Sequence, residues 1–129
     1  MSLFARSVCT LWMFILLSSW VNYTVAMKAL VRVTNDLGIL DLTVSCNIDK
    51  NPHILTPAAY YEWNYSSEDS EFGREPFTCN FQWEGAHHSF DMYVSIRDQD
   101  CQRCLWFIRQ DAPCRYVKNG RFACYPWNT

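Results

Sequence analysis

Apolar and polar residues alternate one by one along most of the chain, which is the period of a β-strand with one buried face. The clearest run is FTCNFQW, residues 77–83, in which every second residue is apolar. The same pattern predicts strands at Leu30–Thr34, Leu40–Cys46, Tyr60–Tyr65, Phe77–Trp83, Phe90–Ile96, Cys104–Ile108, Pro113–Val117 and Arg121–Tyr125. The last two flank Asn119-Gly120, a dipeptide typical of tight hairpin turns.

Segments without this alternation predict loops between the strands. Asn47–Pro57 contains two prolines, Ser66–Glu75 is acidic, and Arg97–Arg103 is charged. Gly85–His88 is predicted to turn the chain between two strands. The three longer loops are candidates for a recognition surface, since loops on a rigid scaffold often carry binding residues.

Short strands without an amphipathic helix predict an all-β fold. We expect a small antiparallel β-sandwich of seven to eight strands, held by disulfides, with a small β-barrel as the alternative. Trp63, Trp83 and Trp106 lie beside apolar neighbours on predicted strands and are expected in the core. Tyr125 and Trp127, near the C-terminus, could instead be exposed.

Residues 1–26 have the features of a secretory signal peptide. Arg6 is followed by the apolar stretch Val8–Leu17, which is too short to span a bilayer, and Thr24 and Ala26 suit a cleavage site after Ala26. An uncleaved signal anchor is the alternative. Cleavage leaves residues 27–129 as one secreted domain, with no later segment long and apolar enough for membrane insertion.

The predicted mature chain contains six cysteines, because Cys9 leaves with the leader. In a small secreted domain such cysteines are expected to form disulfides. Cysteines on inward-facing rows would connect the two sheets, but six cysteines allow fifteen pairings and the sequence does not choose among them. Zinc is disfavoured, since the C-x-x-C motif lacks a second close ligand pair. The six are Cys46, Cys79, Cys101, Cys104, Cys114 and Cys124.

The C-x-x-C motif leaves two pairings open. Residues three apart on a strand point to opposite faces, so an extended Cys101 and Cys104 would bond to different partners. A tight turn at this place would allow them to bond to each other.

The chain has a formal net charge of −2, and loss of Arg6 with the leader makes the mature chain −3. This mild acidity argues against nucleic acid or an anionic membrane surface as the main partner. The charge is unevenly distributed, since Ser66–Glu75 is acidic and Arg97–Arg121 is basic. The sequence does not predict an oligomeric state.

No catalytic, metal or cofactor site is predicted. The chain lacks G-x-S-x-G, HEXXH and P-loop motifs. His87 and His88 are expected to be solvated residues of a turn, although a small hydrolase or nuclease that uses His87 or His88 with a nearby carboxylate is an alternative. Asn64-Tyr65-Ser66 is a glycosylation sequon, which makes Asn64 a candidate site in a secreted protein.

Seven segments carry a family resemblance, in order along most of the predicted mature chain. They are Val31–Leu37 (VRVTNDL), Leu42–Cys46 (LTVSC), Tyr61–Tyr65 (YEWNY), Phe77–Trp83 (FTCNFQW), Phe90–Tyr93 (FDMY), Cys101–Trp106 (CQRCLW) and Arg109–Cys114 (RQDAPC). Together they resemble the motifs of the plant self-incompatibility proteins, the S-protein homologues. The chain departs from that pattern by lacking an acidic run after Cys46, by Ala112-Pro113 in a turn, and by Cys124.

The resemblance implies a small secreted β-sandwich with intramolecular disulfides. The founding members of the family are stigma-secreted ligands that pollen receptors read, and many homologues are thought to be secreted signals. We therefore expect a non-catalytic recognition or signalling protein that binds a cell-surface receptor or other protein through its loops. Self-pollen rejection is the narrower expectation, and a secreted defence protein is a further alternative.

Overall fold

The computed structural model describes residues 28–66 and 76–128, so the expectations for the leader, Met1–Ala26, and for most of the acidic segment Ser66–Glu75 lie outside the described residues. Within the described ranges there are nine strands and one helical turn. They are β1 (Lys28–Asn35), β2 (Leu42–Cys46), β3 (Asp49–Leu55), β4 (Tyr60–Ser66), β5 (Phe77–Trp83), β6 (Ala86–Tyr93), α1 (Ser95–Asp98), β7 (Arg103–Ile108), β8 (Pro113–Tyr116) and β9 (Phe122–Cys124).

The strands form two sheets packed face to face, which confirms the sandwich prediction. Sheet A has the order β4-β1-β7-β8-β9, and sheet B has the order β3-β2-β5-β6. These orders contain seven strand pairs, and six of them are antiparallel. The structure adds one strand to the predicted seven or eight.

One strand pair departs from the antiparallel prediction. β1 and β7 run parallel, with Val31 beside Cys104 and Val33 beside Trp106. The pairing arises because β6 ends in sheet B and residues 94–102 cross to sheet A, where β7 begins beside the start of β1. Parallel partners cannot be joined by a hairpin, and residues 36–102 separate β1 from β7.

The alternating residues build the core between the sheets, as the pattern predicts. From sheet A, Val31, Val33, Trp106 and Ile108 are fully buried, and sheet B contributes the fully buried residues Leu42, Val44, Phe77, Phe81 and Met92. Trp63 and Trp83 are also buried, which confirms their predicted place in the core. The indole of Trp106 donates to the carbonyl of Met92 at 3.0 Å, so its one polar atom is satisfied across the sheets.

The prediction of a loop at Asn47–Pro57 is wrong for most of its length. Asp49–Leu55 is strand β3, which pairs with β2, while only residues 47 and 48 form a turn before it. β3 is the outer strand of sheet B, so Pro52 is tolerated because one side of an edge strand needs no backbone N–H donors. The register is also irregular here: Val44 pairs with His53 and Cys46 with Asp49, so β3 carries extra residues that blur its alternation.

Two further turn predictions are corrected. The turn after β5 is Glu84-Gly85, with Gly85 at φ +87°, and His87 and His88 lie on strand β6 instead of in the turn. Ile96, predicted to face inward, is 90% exposed because the chain has by then entered α1, where the strand period no longer applies. The hairpin at Asn119-Gly120 is confirmed, with both residues at positive φ.

The disulfides join neighbouring strands or a single turn, and the prediction that they connect the two sheets is wrong. Cys46–Cys79 joins β2 to β5 within sheet B, Cys114–Cys124 joins β8 to β9 within sheet A, and Cys101–Cys104 is local. The first two pairs are register partners with Cα atoms 4.0 Å apart. Both bonds therefore connect directly opposite residues of neighbouring strands within one sheet.

Candidate recognition surface

One end of the sandwich collects most of the predicted recognition segments. In sheet A, β1 and β7 begin and β4 ends at this end, since Lys28 pairs with Ser66 and Leu30 pairs with Arg103. In sheet B, β2 and β6 end there, while β3 and β5 begin. We call the described loops at this end, residues 47–48, 94–102 and 117–121, the recognition end.

The largest of these loops, residues 94–102, is organised around the fully buried carboxylate of Asp98. Its oxygens accept hydrogen bonds from the backbone N–H of Val94 at 2.9 Å and from the guanidinium of Arg97 at 2.6 Å. The Nε of Arg115 on β8 lies 3.5 Å from Oδ1 of Asp98. Because a buried charge is costly unless it is paired, these partners hold the loop in one arrangement.

Arg97 also fixes the loop against the core. Its guanidinium carbon lies 4.7 Å from the ring centre of Phe90, 4.9 Å from that of Trp106 and 5.1 Å from that of Tyr125. Such cation–π contacts stabilise a partly desolvated arginine. The predicted charged loop Arg97–Arg103 is therefore a structured connection, and Arg97 and Asp98 are the parts of it that support the fold.

The Cys101–Cys104 disulfide follows directly and resolves the open pairing. Residues 95–101 turn tightly, so the two cysteines lie 5.4 Å apart at their Cα atoms and bond to each other. The N–H of Leu30 donates to the carbonyl of Gln102 at 2.8 Å, which attaches this turn to β1. The Cys46–Cys79 disulfide lies beside the same end in sheet B, so two disulfides restrain it.

A second polar cluster joins the edges of the two sheets at β3 and β4. The Nε2 of His53 lies 2.5 Å from Oδ2 of Asp49, which also accepts from the indole N–H of Trp63 at 3.2 Å. The imidazole stacks on Tyr61 with ring centres 3.7 Å apart. These donors and the backbone N–H of Asn51 favour the charged form of the Asp49 carboxyl. They hold the pKa of Asp49 below its ordinary value, and the hydrogen bond with His53 has the largest effect.

The Asp49–His53 pair is a residue arrangement that sequence reasoning missed. The segment was interpreted as a loop, in which residues 49 and 53 have no fixed relation. On a strand, positions i, i+2 and i+4 share a face, so this spacing was the signal that could have found the pair. Its surroundings indicate a structural role, because both side chains contact residues of the other sheet.

The adjacent histidines do not share a site. As consecutive residues of β6, His87 and His88 point to opposite faces of sheet B. His87 is exposed, whereas His88 stacks on Trp127 and packs near Trp83. Within residues 28–66 and 76–128, no three His, Cys, Asp or Glu side chains are grouped as potential metal ligands, and no helix of those ranges is long and apolar enough to cross a membrane.

Asn64 lies on β4, the outer strand of sheet A, with its side chain exposed. Its strand neighbour is Leu30 of β1, and the opposite side of β4 has no paired strand among the described residues. Strand pairing thus leaves the Asn64 side chain accessible from solvent. Ser66 completes the sequon and is 8% exposed.

The outer face of sheet A carries an apolar group that sequence reasoning also missed. Phe107 and Phe122 meet edge to face with ring centres 5.3 Å apart, and Tyr116 contacts Phe122 in the same way at 5.6 Å. The Cys114–Cys124 disulfide lies on this face, since Cys114 pairs with the outward residue Phe107. The signal in the sequence is weak, because the apolar residues come from three short strands whose partners are not predictable locally.

Comparison with known proteins finds the same family along nearly the whole described chain. Residues 30–127 match the family described as plant self-incompatibility protein S1. S-protein homolog 19 of Arabidopsis thaliana is 45% identical over 102 residues, which cover 76% of this chain and 75% of that protein. S-protein homolog 5 of Arabidopsis thaliana is 32% identical over 99 residues, which cover 75% and 76%, respectively.

A solved structure has a similar fold. It is described as "Structure of SPH (Self-Incompatibility Protein Homologue) proteins, a widespread family of small, highly stable, secreted proteins from plants". The superposition has a TM-score of 0.55 at 18% sequence identity and covers 81% of this chain and 97% of the solved one. At that identity the likeness concerns the arrangement of the strands.

Proposed function

The chain belongs to the plant self-incompatibility protein S1 family, and from that membership we propose that it is a recognition protein that binds a cell-surface receptor or another extracellular protein. The family is one of small secreted plant proteins. Export through cleavage after Ala26 is part of the proposal. N-terminal sequencing of protein collected from the medium of expressing plant cells tests it, with Met27 as the expected first residue.

The observation that carries the proposal is the recognition end itself. Residues 94–102 are held by the buried carboxylate of Asp98 and by the Cys101–Cys104 disulfide, and yet Ile96 in the same loop is 90% exposed. A loop fixed in one arrangement loses little entropy on binding, which favours affinity. An exposed isoleucine on such a loop supplies apolar area for a partner to cover.

The chain offers a matched pair of variants for the test. Ile96 lies at the recognition end, and Ile39, at 92% exposure, lies in the loop between β1 and β2 at the opposite end. We expect fluorescently labelled mature protein to bind intact plant cells saturably. Ile96→Asp is expected to weaken that binding at least tenfold, whereas Ile39→Asp leaves it unchanged; equal effects of the two changes would contradict binding through the recognition end.

Rejection of self pollen is the narrower form of the proposal. Recombinant protein from one plant line would be applied to pollen of the same line and of other lines. Arrest of tube growth confined to one pollen genotype supports it. Binding to cells of other tissues, with no effect on pollen, would contradict a role in pollen rejection and would still agree with the general recognition role.

We propose that the protein acts without catalysis. Two observations support this: His87 and His88 lie on opposite faces of β6 and so cannot act as a pair, and the ring of His88 is stacked on Trp127. Purified protein is expected to cleave neither RNA nor glycans. Turnover that disappears in a His87→Ala/His88→Ala variant would overturn the proposal in favour of a hydrolase.

A further inference from the structure

We propose that the outer face of sheet A is a docking surface for an acidic protein. Its centre, the aromatic face, consists of Leu105, Phe107, Tyr116, Phe122 and the Cys114–Cys124 disulfide. The inference rests on the proposed binding of an extracellular protein and goes beyond it, because it assigns a sheet face in addition to the loops and specifies the charge of the partner.

The aromatic face is continuous across three strands. Leu105 and Phe107 alternate along β7 with the buried Cys104, Trp106 and Ile108, so they point outward. Phe107 pairs with Cys114 of β8, Cys114 pairs with Cys124 of β9, and Tyr116 pairs with Phe122. The edge-to-face contacts among Phe107, Tyr116 and Phe122 make them one surface.

This composition is unusual for the solvent face of a sheet. Strands with one buried face normally present polar residues on the other. Here Tyr116 and Phe122 keep 36% and 38% of their surface exposed, and Val117 at the border keeps 47%. Rigid aromatic residues fixed by their neighbours are the type that contributes most at protein interfaces.

Basic side chains surround the aromatic face. Lys28 and Arg32 lie on β1, Arg103 begins β7, and Lys118 and Arg121 belong to the hairpin between β8 and β9. The guanidinium of Arg109 lies 4.7 Å above the ring of Phe122. These six are more than half of the eleven basic residues of a chain whose net charge is −2.

In the part of the chain that the structure describes, few acidic groups offset this charge. Among the described residues, Glu62 pairs with Arg32 and Asp36 pairs with Arg109. Lys28, Arg103, Lys118 and Arg121 form no ion pair with any described residue. The surface therefore has an apolar centre and a positive border on an otherwise acidic protein.

Charge complementarity determines the occupant. An interface with an apolar centre and a positive rim fits a protein that presents apolar side chains surrounded by Asp and Glu. A second copy of this chain placed face to face would bring the same positive border against itself, which like-charge repulsion disfavours. An acidic polysaccharide would satisfy the arginines but has no apolar centre to match Leu105 and Phe107.

The surface also continues into the recognition end. Residues 117–121 belong to both, and Arg103 directly follows the loop 94–102. A partner that contacts the recognition end therefore reaches the aromatic face without a gap. This continuity places both surfaces within one footprint.

Binding of fluorescently labelled protein, residues 27–129, to wall-free plant protoplasts tests the inference. Phe122→Ala removes the central ring, and Arg103→Glu or Arg121→Glu reverses one border charge. Matched controls lie on β3 of sheet B, where Lys50→Glu makes the same charge change at an exposed site and Ile54→Ala trims an exposed apolar side chain. Circular dichroism of each variant checks that it is folded.

We expect each change on the sheet A face to weaken binding at least tenfold and the controls to leave it unchanged. Added salt should weaken the binding of the unaltered protein more than that of Arg103→Glu, since screening acts on the border charge. Treatment of the protoplasts with protease should abolish the binding.

The contrary outcomes are distinct from one another. No saturable binding of the unaltered protein would overturn the proposed function itself. Saturable binding that is sensitive to Ile96→Asp but insensitive to the sheet A variants would overturn this inference alone. Binding that survives protease but is lost after treatment with polysaccharide-degrading enzymes would assign the surface to a polysaccharide. A dimer in sedimentation that Phe122→Ala dissociates would assign the surface to a second copy of this chain. Either result would overturn the proposal that the partner is an acidic protein.

Discussion

The imidazole of His88 and the indole of Trp127 stack with ring centres 4.7 Å apart and planes 10° from parallel. His88 belongs to β6, the outer strand of sheet B, whereas Trp127 belongs to the tail that leaves β9 of sheet A. The N–H of Asn128 donates to the carbonyl of Ser89 at 2.9 Å beside the stack. The tail therefore crosses from one sheet to the other and covers one side of the core.

This crossing gives Cys124 a structural role. Cys124 ends β9, and its disulfide to Cys114 fixes the point from which the tail departs. Trp127 is thereby brought against Phe81, Trp83 and Phe90 as well as His88. Cys124, which the sequence motifs leave unexplained, lies within the residues that match the family, 30–127, and positions the side chain that closes the sandwich.

Trp127→Ala is expected to destabilise the protein by about 2 kcal/mol. This is less than truncation of a fully buried tryptophan costs, because Trp127 is only half-buried. Urea unfolding followed by circular dichroism measures the change. Val117→Ala, at an exposed site of the hairpin, is the control and should change the free energy of unfolding by less than about 0.5 kcal/mol. Equal effects would show that the tail contributes nothing specific.

Asp98→Asn is expected to cost about 3–5 kcal/mol, because it leaves the arginines that face it without their buried counter-charge. Asp100→Asn is the matched control. Asp100 lies 3.7 Å from Arg115 but is 71% exposed, so its loss should cost less than about 1 kcal/mol. Similar free energies of unfolding for the two variants would contradict the role of Asp98 in holding residues 94–102.

Stability is expected to fall in acid because of Asp49. The folded state lowers the pKa of its carboxyl from the ordinary value of 3.8, so folding favours the charged form. The contribution is present above that pH and is lost as the pH falls below it, through the folded pKa. Unfolding measured between neutral pH and the acid range should show a shallower decline for Asp49→Asn, whereas Asp111→Asn, at an exposed site, should keep the original decline.

The three disulfides are expected to differ in their contribution. The bonded cysteines are 33, 10 and 3 residues apart for Cys46–Cys79, Cys114–Cys124 and Cys101–Cys104. Loop-closure entropy then predicts losses of about 4, 3 and 1.5 kcal/mol when each pair is replaced by alanines. Mass spectrometry of non-reduced peptides checks the pairings first, and a reversed order of stabilities would contradict the entropic account.

We expect Asn64 to carry an N-linked glycan in protein secreted by plant cells. The side chain is exposed on an edge strand, so the sequon is accessible despite the strand. Intact mass before and after enzymatic deglycosylation measures occupancy, and Asn64→Gln should remove the difference. A mass that matches the bare polypeptide would contradict the prediction.

Where the prediction of strands succeeded, each strand was recognisable from its own residues. β5 and β7 have strict alternation, so their buried rows were correctly identified. β3 was missed because an edge strand that contains Pro52 and extra residues between Asp49 and His53 has no regular pattern. The inward position of Ile96 was wrong because the chain leaves the strand before it, and no local signal marks that point.

The candidate surface was predictable in part. Arg97–Arg103 was identified from its charge, and the structure places it at the recognition end. The aromatic face was missed because Phe107, Tyr116 and Phe122 are close only after β7, β8 and β9 pair. Each of them is an ordinary strand residue when its own segment is considered alone.

The sequence by itself determined the all-β class and most of the inward-facing residues, because a period of two orients side chains whichever strand lies alongside. Tertiary structure decided the parallel pairing of β1 with β7, the pairing of Cys46 with Cys79 and the closure of the core by Trp127. Each of these depends on contacts between residues distant in the chain. Such contacts are set by the packing of the whole molecule, which no local pattern encodes.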